Sequence, residues 1–111
     1  MDIPLQRAVA QRAEATRLLS EVGAFLPALV ARLRILGATE IVLFGSMAHG
    51  DPTTASDIDV LVRGLDGEGL AQARGRLSAD APAIVDVVRA ESAPPSLLAE
   101  VRRSGRTLYA A

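Results

Sequence analysis

The sequence lacks cysteine and tryptophan, and it contains only two phenylalanines and one tyrosine. Without cysteine the chain can form neither a disulfide nor a thiolate metal site, which is typical of proteins in a reducing cytoplasm. The scarcity of aromatic rings argues against a nucleic-acid groove in which bases stack on side chains. The core must therefore be built from leucine, valine, isoleucine and alanine.

The charge pattern gives no excess of one sign. The formal net charge is −1, and all twelve basic residues are arginine because lysine is also absent. This balance offers no electrostatic basis for direct nucleic-acid binding. The N-terminus has no apolar region typical of a signal peptide, and no segment is long enough to span a membrane. We expect a cytoplasmic protein without a membrane partner, folded as one domain over residues 1–111.

The N-terminal residues 1–37 are predicted to form a pair of helices. Apolar residues recur at helical spacing from about Leu5 to Glu21, and charged residues occupy the opposite side. Gly23 and Pro27 interrupt this pattern, and proline is well tolerated in a first helical turn. A second helix is therefore expected from about Pro27 to Leu36. We expect the pair to pack on a sheet; presentation of a face to a partner is the alternative.

Residues 40–109 are predicted to form the core of the domain. Three apolar runs bounded by turn residues predict strands: EIVLFG, DIDVLVR and AIVDVVR. A short helical turn over residues 46–50 and a loop over DPTTAS join the first two strands. Helices are expected from about Gly69 to Ala79 and in PSLLAEVRRSG, before a short extended tail, TLYA. The predicted fold is α/β (α+β), with a small mixed three-stranded sheet flanked by helices.

Gly45 and Ser46 follow the first predicted strand. A glycine there lets another backbone or a ligand approach closely, because it has no side chain. A serine at the start of a helical turn can cap it, and the free N–H groups of such a turn suit an anion such as phosphate. A simple strand-to-helix turn capped by Ser46 is the alternative.

Asp57 and Asp59 lie at the start of the second predicted strand. Strand periodicity places both carboxylates on one face, where their charges repel each other unless a cation lies between them. Carboxylate oxygens at this spacing suit Mg²⁺, which binds one or two carboxylates together with phosphate oxygens. Alternatively, Asp57 precedes the strand and is solvated in a turn.

Asp86 lies between apolar residues of the third predicted strand that we expect to be buried. A buried charge without a partner is costly, so Asp86 is expected to face a cation or a hydrogen-bond donor. If the second and third strands are neighbours, Asp86 joins Asp57 and Asp59, and three carboxylates can hold two metal ions for phosphoryl or nucleotidyl transfer. Pairing of Asp86 with Arg63 or Arg89 is the alternative.

The segment GSMAHGDPTTASDID contains Gly-Ser, ten further residues and Asp-x-Asp. This arrangement resembles the signature of the nucleotidyltransferase superfamily, which includes DNA polymerase beta, poly(A) polymerases and antibiotic nucleotidyltransferases. The later VDVV resembles the strand that carries the third acid of that superfamily. The span from Glu40 to Tyr109 is similar to the minimal nucleotidyltransferases, many of which are antitoxins of HEPN-domain ribonuclease toxins.

This resemblance implies a role for each residue of the motif. Gly45 and Ser46 would hold the triphosphate of ATP, and Asp57, Asp59 and Asp86 would ligate two Mg²⁺ ions. Asp86 would also help to activate the attacking hydroxyl. These five residues form the predicted site.

Four further polar residues have two interpretations each. His49 stands where many minimal members have arginine, in a GSxARG form, and this departure leaves open the contact that the arginine makes. His49 is either an acid or base or, as we expect, a solvated loop residue. Arg102, Arg103 and Arg106 either contact phosphate or a partner or simply form a solvated helix end.

The function that the resemblance implies is Mg²⁺-dependent transfer of AMP from ATP to a hydroxyl, expected to be a tyrosine, of a HEPN toxin. A non-catalytic module that neutralises a toxin by occluding it is the alternative. Transfer to a small cationic acceptor such as an aminoglycoside would need a second acidic cluster, and the sequence offers none.

Overall fold

The N-terminal region is a single helix. The computed structural model of the protein describes residues 3–52 and 56–111, with side chains from residue 6 onward. Helix α1 spans Ile3–Ile35 without interruption, so the predicted helix pair is wrong. Pro27 lies inside α1, where it removes one backbone hydrogen bond. The helix continues through it because apolar residues on both sides of Pro27 pack into one core; these are Val22, Phe25, Leu26, Leu29 and Leu33.

Among the side chains of α1 that the structure describes, from Gln6 onward, those that pack on the rest of the molecule begin at Leu18. A helix of 33 residues is about 50 Å long, close to the longest dimension of the protein, 54 Å. Between Gln6 and Arg17 every residue is exposed except the half-buried Ala15. The expected packing on the sheet therefore holds from Leu18 onward. Gly37, with a φ of 108°, follows the end of the helix as predicted.

The sheet has four strands rather than the predicted three. Its strands are β1 (Glu40–Phe44), β2 (Ile58–Arg63), β3 (Val85–Arg89) and β4 (Arg106–Ala110), in the spatial order β3-β2-β1-β4. Strand β1 is antiparallel to β2 and β4, whereas β2 and β3 are parallel. The mixed character of the sheet is therefore confirmed. The predicted extended tail pairs with β1 as the additional strand β4.

Two further α-helices and a short 3-10 helix, Ala90–Ser92, complete the described part of the fold. Helix α2 spans Gly67–Arg76, and the Asp66 side chain caps it by accepting a hydrogen bond from the N–H of Gly69. Helix α3 spans Pro95–Ser104 and begins at a proline, which needs no N–H partner in the first turn. Of the predicted loop over residues 51–56, residues 53–55 lie outside the described residues.

Both faces of the sheet are covered by apolar side chains, but one face is buried more completely than the other. One face packs on α1 and α2, and its central side chains are fully buried: Ile41, Leu43, Ile58, Val60, Val62 and Val87. The other face carries a smaller cluster in which Val42 and Leu61 pack with Val101 of α3. Because side chains alternate along a strand, Asp59, two residues before Leu61, belongs to this second face.

In the described part of the chain, no helix combines the length and apolar character needed to cross a bilayer.

Candidate active site

The turn after β1 brings the backbone close to an aspartate. The N–H groups of Ala48 and His49 donate to the carbonyl oxygen of Gly45, at 3.1 and 3.3 Å, which confirms the predicted helical turn. Gly45 has a φ of 74°, a conformation that favours glycine. A Cβ atom at this position would lie 2.6 Å from Oδ2 of Asp59. The backbone therefore favours glycine here, and any larger residue would have to displace the carboxylate of Asp59.

The same turn leaves amide donors available for an anion. Among the described residues, the N–H groups of Ser46 and Met47 donate to no backbone carbonyl. Amides at the start of a helical turn can bind phosphate oxygens. Ser46 is half-buried beside Gly45, so the position of these donors next to Asp59 suits the predicted nucleotide site.

Strand pairing places Asp59 at the centre of the candidate site. In the antiparallel β1–β2 register Asp59 lies opposite Phe44, and in the parallel β2–β3 register it lies opposite Asp86. Strands β2 and β3 are therefore neighbours, which is the condition that the sequence analysis set for Asp86 to join the other acids. Asp59 is half-buried between its two neighbouring strands.

Asp86 is exposed, so the expectation that it is buried among apolar neighbours is wrong. The apolar residues on either side of it, Val85 and Val87, are buried because they face the opposite side of the sheet. Strand β3 is an edge strand, which leaves Asp86 open to solvent. Its nearness to Asp59, rather than a need to neutralise a buried charge, connects it with the site.

Asp57 lies one residue before β2 and is also exposed. The alternative in which it precedes the strand therefore describes its position correctly. Its charge nevertheless reaches the site, because it is one of the causes that raise the pKa of Asp59.

Burial and the charges of Asp86 and Asp57 raise the pKa of Asp59 to about 6. A carboxyl group shifted in this direction is one whose neighbours disfavour its charged form. The charges of Asp86 and Asp57 thus reach Asp59. A cation among them would remove this repulsion.

The donor set suits Mg²⁺, although the described side chains do not form a complete ion site. Three carboxylates on two adjacent strands supply the hard oxygen atoms that Mg²⁺ prefers, and Mg²⁺ commonly keeps waters and phosphate oxygens as its other ligands. Within residues 3–52 and 56–111, no three His, Cys, Asp or Glu side chains stand close enough to hold one ion together. An ion held by these acids would take its remaining ligands from a nucleotide and water.

The other polar residues singled out in the sequence lie on the surface. His49 is exposed in the turn, in agreement with a solvated loop residue. Arg102 and Arg103 are exposed in the last turn of α3, and Arg106 is exposed at the start of β4. Their charges at the C-terminal end of α3 suit the helix dipole.

One residue beside the acids was not predicted from the sequence. Ile84 precedes β3 and is 67% exposed, an unusual position for a large aliphatic side chain so close to Asp86. The sequence predicts a strand over AIVDVVR but assigns no exposed position to Ile84. The alternation Ile84–Asp86–Val88 along one face was the signal that could have identified it.

A family model described as "Polymerase beta, Nucleotidyltransferase" matches residues 37–111. The match begins after α1 and includes all four strands and the three acids. No protein with a curated description matches the chain.

Several solved structures are similar to this chain. A chain of the MntA–HepT toxin–antitoxin pair carrying two Asp-to-Glu substitutions is 26% identical, with a TM-score of 0.69, and the match covers 77% of this chain and 73% of that one. A toxin–antitoxin structure with AMP-PNP is 29% identical, with a TM-score of 0.66 and coverages of 74% and 70%.

A third structure shares the fold at lower identity. It is the complex of a tri-AMPylated HEPN toxin with its MNT antitoxin from Shewanella oneidensis. The matched chain is 22% identical, with a TM-score of 0.53, and the match covers 91% of this chain and 73% of that one.

Proposed function

Since the chain belongs to the polymerase beta nucleotidyltransferase family, we propose that it transfers AMP from ATP to a tyrosine hydroxyl of a HEPN-type toxin. The transfer would make it the antitoxin of a toxin–antitoxin pair that acts in the cytoplasm, where ATP is available. The similar structures support this partner, since they include complexes of an MNT antitoxin with a HEPN toxin, one of them AMPylated.

The observation that carries the proposal is the position of Asp59. It lies between the Gly45 turn on one side and Asp86 on the other, and Gly45 has no side chain where Asp59 approaches. A residue that only stabilised the fold would not need neighbouring carboxylates that raise its pKa to about 6. Perturbed carboxylates beside an anion-binding turn are typical of phosphate chemistry.

Each residue has a role in the proposed reaction. The amides of the turn at Gly45 and Ser46 hold the phosphates, and the acids Asp57, Asp59 and Asp86 hold Mg²⁺. When bound, two Mg²⁺ ions offset the charge of the phosphates and lower the pKa of the attacking hydroxyl. Asp86, which is exposed on the edge strand, would accept the proton of that hydroxyl.

The acceptor oxygen forms a bond to the α-phosphorus of ATP, while the bond from that phosphorus to the bridging oxygen breaks and pyrophosphate leaves. The hydroxyl proton passes to a carboxylate of the site and then to water. The products are an AMP–tyrosine phosphodiester and pyrophosphate.

A growth assay tests whether the acids or only the protein surface neutralises the toxin. Cells expressing the HEPN-type partner would carry wild type, Asp59→Asn or Asp51→Asn. Asp51 is the matched control because it is exposed in the chain after the turn and is not one of the three acids. We expect growth with wild type and Asp51→Asn and no growth with Asp59→Asn. Equal growth with all three would instead support occlusion without catalysis.

A further inference from the structure

Ile84 is the one large apolar side chain that lies exposed next to the acids in the described part of the chain. The other two exposed large apolar residues there, Val9 and Ile35, are on α1, which packs on the opposite face of the sheet. Ile84 is held in position by the sheet, because its carbonyl oxygen accepts a hydrogen bond of 2.8 Å from the N–H of Ile58.

The strand register places Ile84 directly beside the acids. In the parallel pairing of β2 with β3, Ile58 is opposite Val85 and Asp59 is opposite Asp86. Extending this register by one residue puts Ile84 beside Asp57. Because side chains alternate along a strand, Ile84 shares the face of Asp86, with the buried Val85 pointing away.

Ile84 and the phosphate-binding turn lie on opposite sides of Asp59. The turn at Gly45 continues β1, which pairs with one edge of β2, whereas Asp86 belongs to the strand on the other edge and Ile84 directly precedes that strand. In nucleotidyl transfer the attacking and leaving oxygens lie roughly in line across the phosphorus. If the phosphates of the leaving group occupy the turn, the acceptor approaches from the side of β3.

We propose that Ile84 is the contact that positions the acceptor, by packing against the aromatic ring of the tyrosine whose hydroxyl is modified. This inference rests on the proposed function and adds a residue to it. An aliphatic side chain offers no contact to a hydroxyl alone but offers dispersion contacts to a ring. A phenol is also neutral, so the carboxylates of Asp57 and Asp86 do not repel it.

Kinetic measurements on an acceptor protein that wild type labels test this role. Ile84→Asn should raise the KM for the acceptor about tenfold, as expected for the loss of a partly buried aliphatic contact. The kcat and the KM for ATP should change less than about threefold, because the acids and the turn are unaltered. Ile84→Leu should keep the acceptor KM of wild type. Ile35→Asn, on α1, is the matched control and should keep it as well.

The kinetic result overturns the inference if wild type labels the acceptor and Ile84→Asn has the KM of wild type. It also overturns the inference if Ile35→Asn raises the KM equally. Failure of wild type to label any protein would instead contradict the proposed function itself, so the two failures are distinguishable.

A binding measurement examines the contact without any transfer. Isoleucine methyl groups would be labelled for NMR, and N-acetyltyrosinamide or N-acetylserinamide would be added as probes in the presence of Mg²⁺ and α,β-methylene-ATP, in which a carbon atom replaces the bridging oxygen that would have to leave. The ring of the tyrosine probe should shift the Ile84 methyl resonances and leave those of Ile35 unchanged, while the serine probe should shift neither. Equal shifts at both isoleucines, or none at Ile84, would overturn the contact.

Discussion

Substitutions at Gly45 and Gly50 can distinguish an effect on folding from an effect on catalysis. Gly45 and Gly50 have similar positive φ values, 74° and 69°, but only a Cβ at Gly45 would meet Asp59. A substitution by alanine at either position should cost about 1 kcal/mol in the free energy of unfolding, because both adopt a strained conformation. Only Gly45→Ala must also displace the carboxylate of Asp59.

We therefore predict that Gly45→Ala lowers the rate of AMP transfer about a hundredfold, since small displacements of reacting groups have effects of this size. Gly50→Ala should retain most of the activity with a similar loss of stability. Thermal unfolding and transfer rates measured on both variants check this pair of outcomes. Equal activity in the two variants would show that the approach of Asp59 to Gly45 has no role.

Asp59 makes the stability of the metal-free protein depend on pH. Its pKa is raised to about 6 in the folded protein, whereas an unfolded aspartate titrates near 4. Between these values the folded state binds more protons than the unfolded state, so stability falls as pH rises from about 4 to about 6. Asp59 is only half-buried, so solvent screening limits the loss to about 1 kcal/mol.

We predict that Asp59→Asn removes this part of the pH dependence and raises the Tm at pH 7 by about 4 °C in the absence of metal. Chemical or thermal unfolding at several pH values from 4 to 8 would measure the stability of both proteins and its dependence on pH. The exposed Asp51→Asn serves as the control and should leave the slope unchanged. A lower Tm for Asp59→Asn would mean that the carboxylate stabilises the fold, contrary to the account.

Among the secondary-structure elements, α1 can be tested for its continuity by a substitution at Pro27. An alanine at an interior helical position is about 3 kcal/mol more favourable than proline in model systems. Pro27 is exposed, so Pro27→Ala should raise the free energy of unfolding by about 1 to 3 kcal/mol. Pro95→Ala, in the first turn of α3, should change it little, because proline suits that position.

Urea unfolding of both variants gives the comparison. If Pro27→Ala behaved like Pro95→Ala, Pro27 would be acting as the first residue of a separate helix.

The elements that could be predicted from the sequence are those with a strong local signal. The apolar runs around Ile41, Val60 and Val87 predict β1, β2 and β3, and the Gly-Ser and Asp-x-Asp spacing carries the resemblance to the nucleotidyltransferases. Strand β4 could not be predicted as part of the sheet. Its residues form no long apolar run, and its pairing with β1 is a tertiary contact that local sequence does not encode.

Two other differences between prediction and structure also arise from tertiary contacts. The continuity of α1 depends on burial of Val22 and Leu29 in one core, which overrides the local preference of Pro27. The exposure of Asp86 depends on β3 lying at the edge of the sheet. In both cases tertiary arrangement, rather than residue preference, determines the outcome.

In the molecule as a whole, the exposed stretch of α1 from Gln6 to Arg17 contributes little to stability. A groove of about 420 Å³ lies between this helix and the chain after the turn, lined by residues that include Arg12, Thr16 and Pro52. We predict that removing residues 1–17 changes the Tm by less than about 3 °C. A loss of about 1 kcal/mol in the free energy of unfolding would cause a larger shift than this. Leu29→Ala, in the packed half, should cost about 2 to 5 kcal/mol.

Thermal unfolding of the shortened chain and of Leu29→Ala makes this comparison. A large loss of stability in the shortened chain would mean that the first half of α1 packs on the body of the protein.

The central claim is that the three acids and the Gly45 turn transfer AMP to a protein. The most direct measurement is incorporation of label from α-labelled ATP into proteins of a cell lysate, with Mg²⁺ or with EDTA, comparing wild type with Asp59→Asn and Asp51→Asn. We predict a labelled protein with wild type and Asp51→Asn in Mg²⁺, and none with Asp59→Asn or in EDTA. Label that appears equally with Asp59→Asn, or no label with wild type and any of the four nucleotides, would contradict the account.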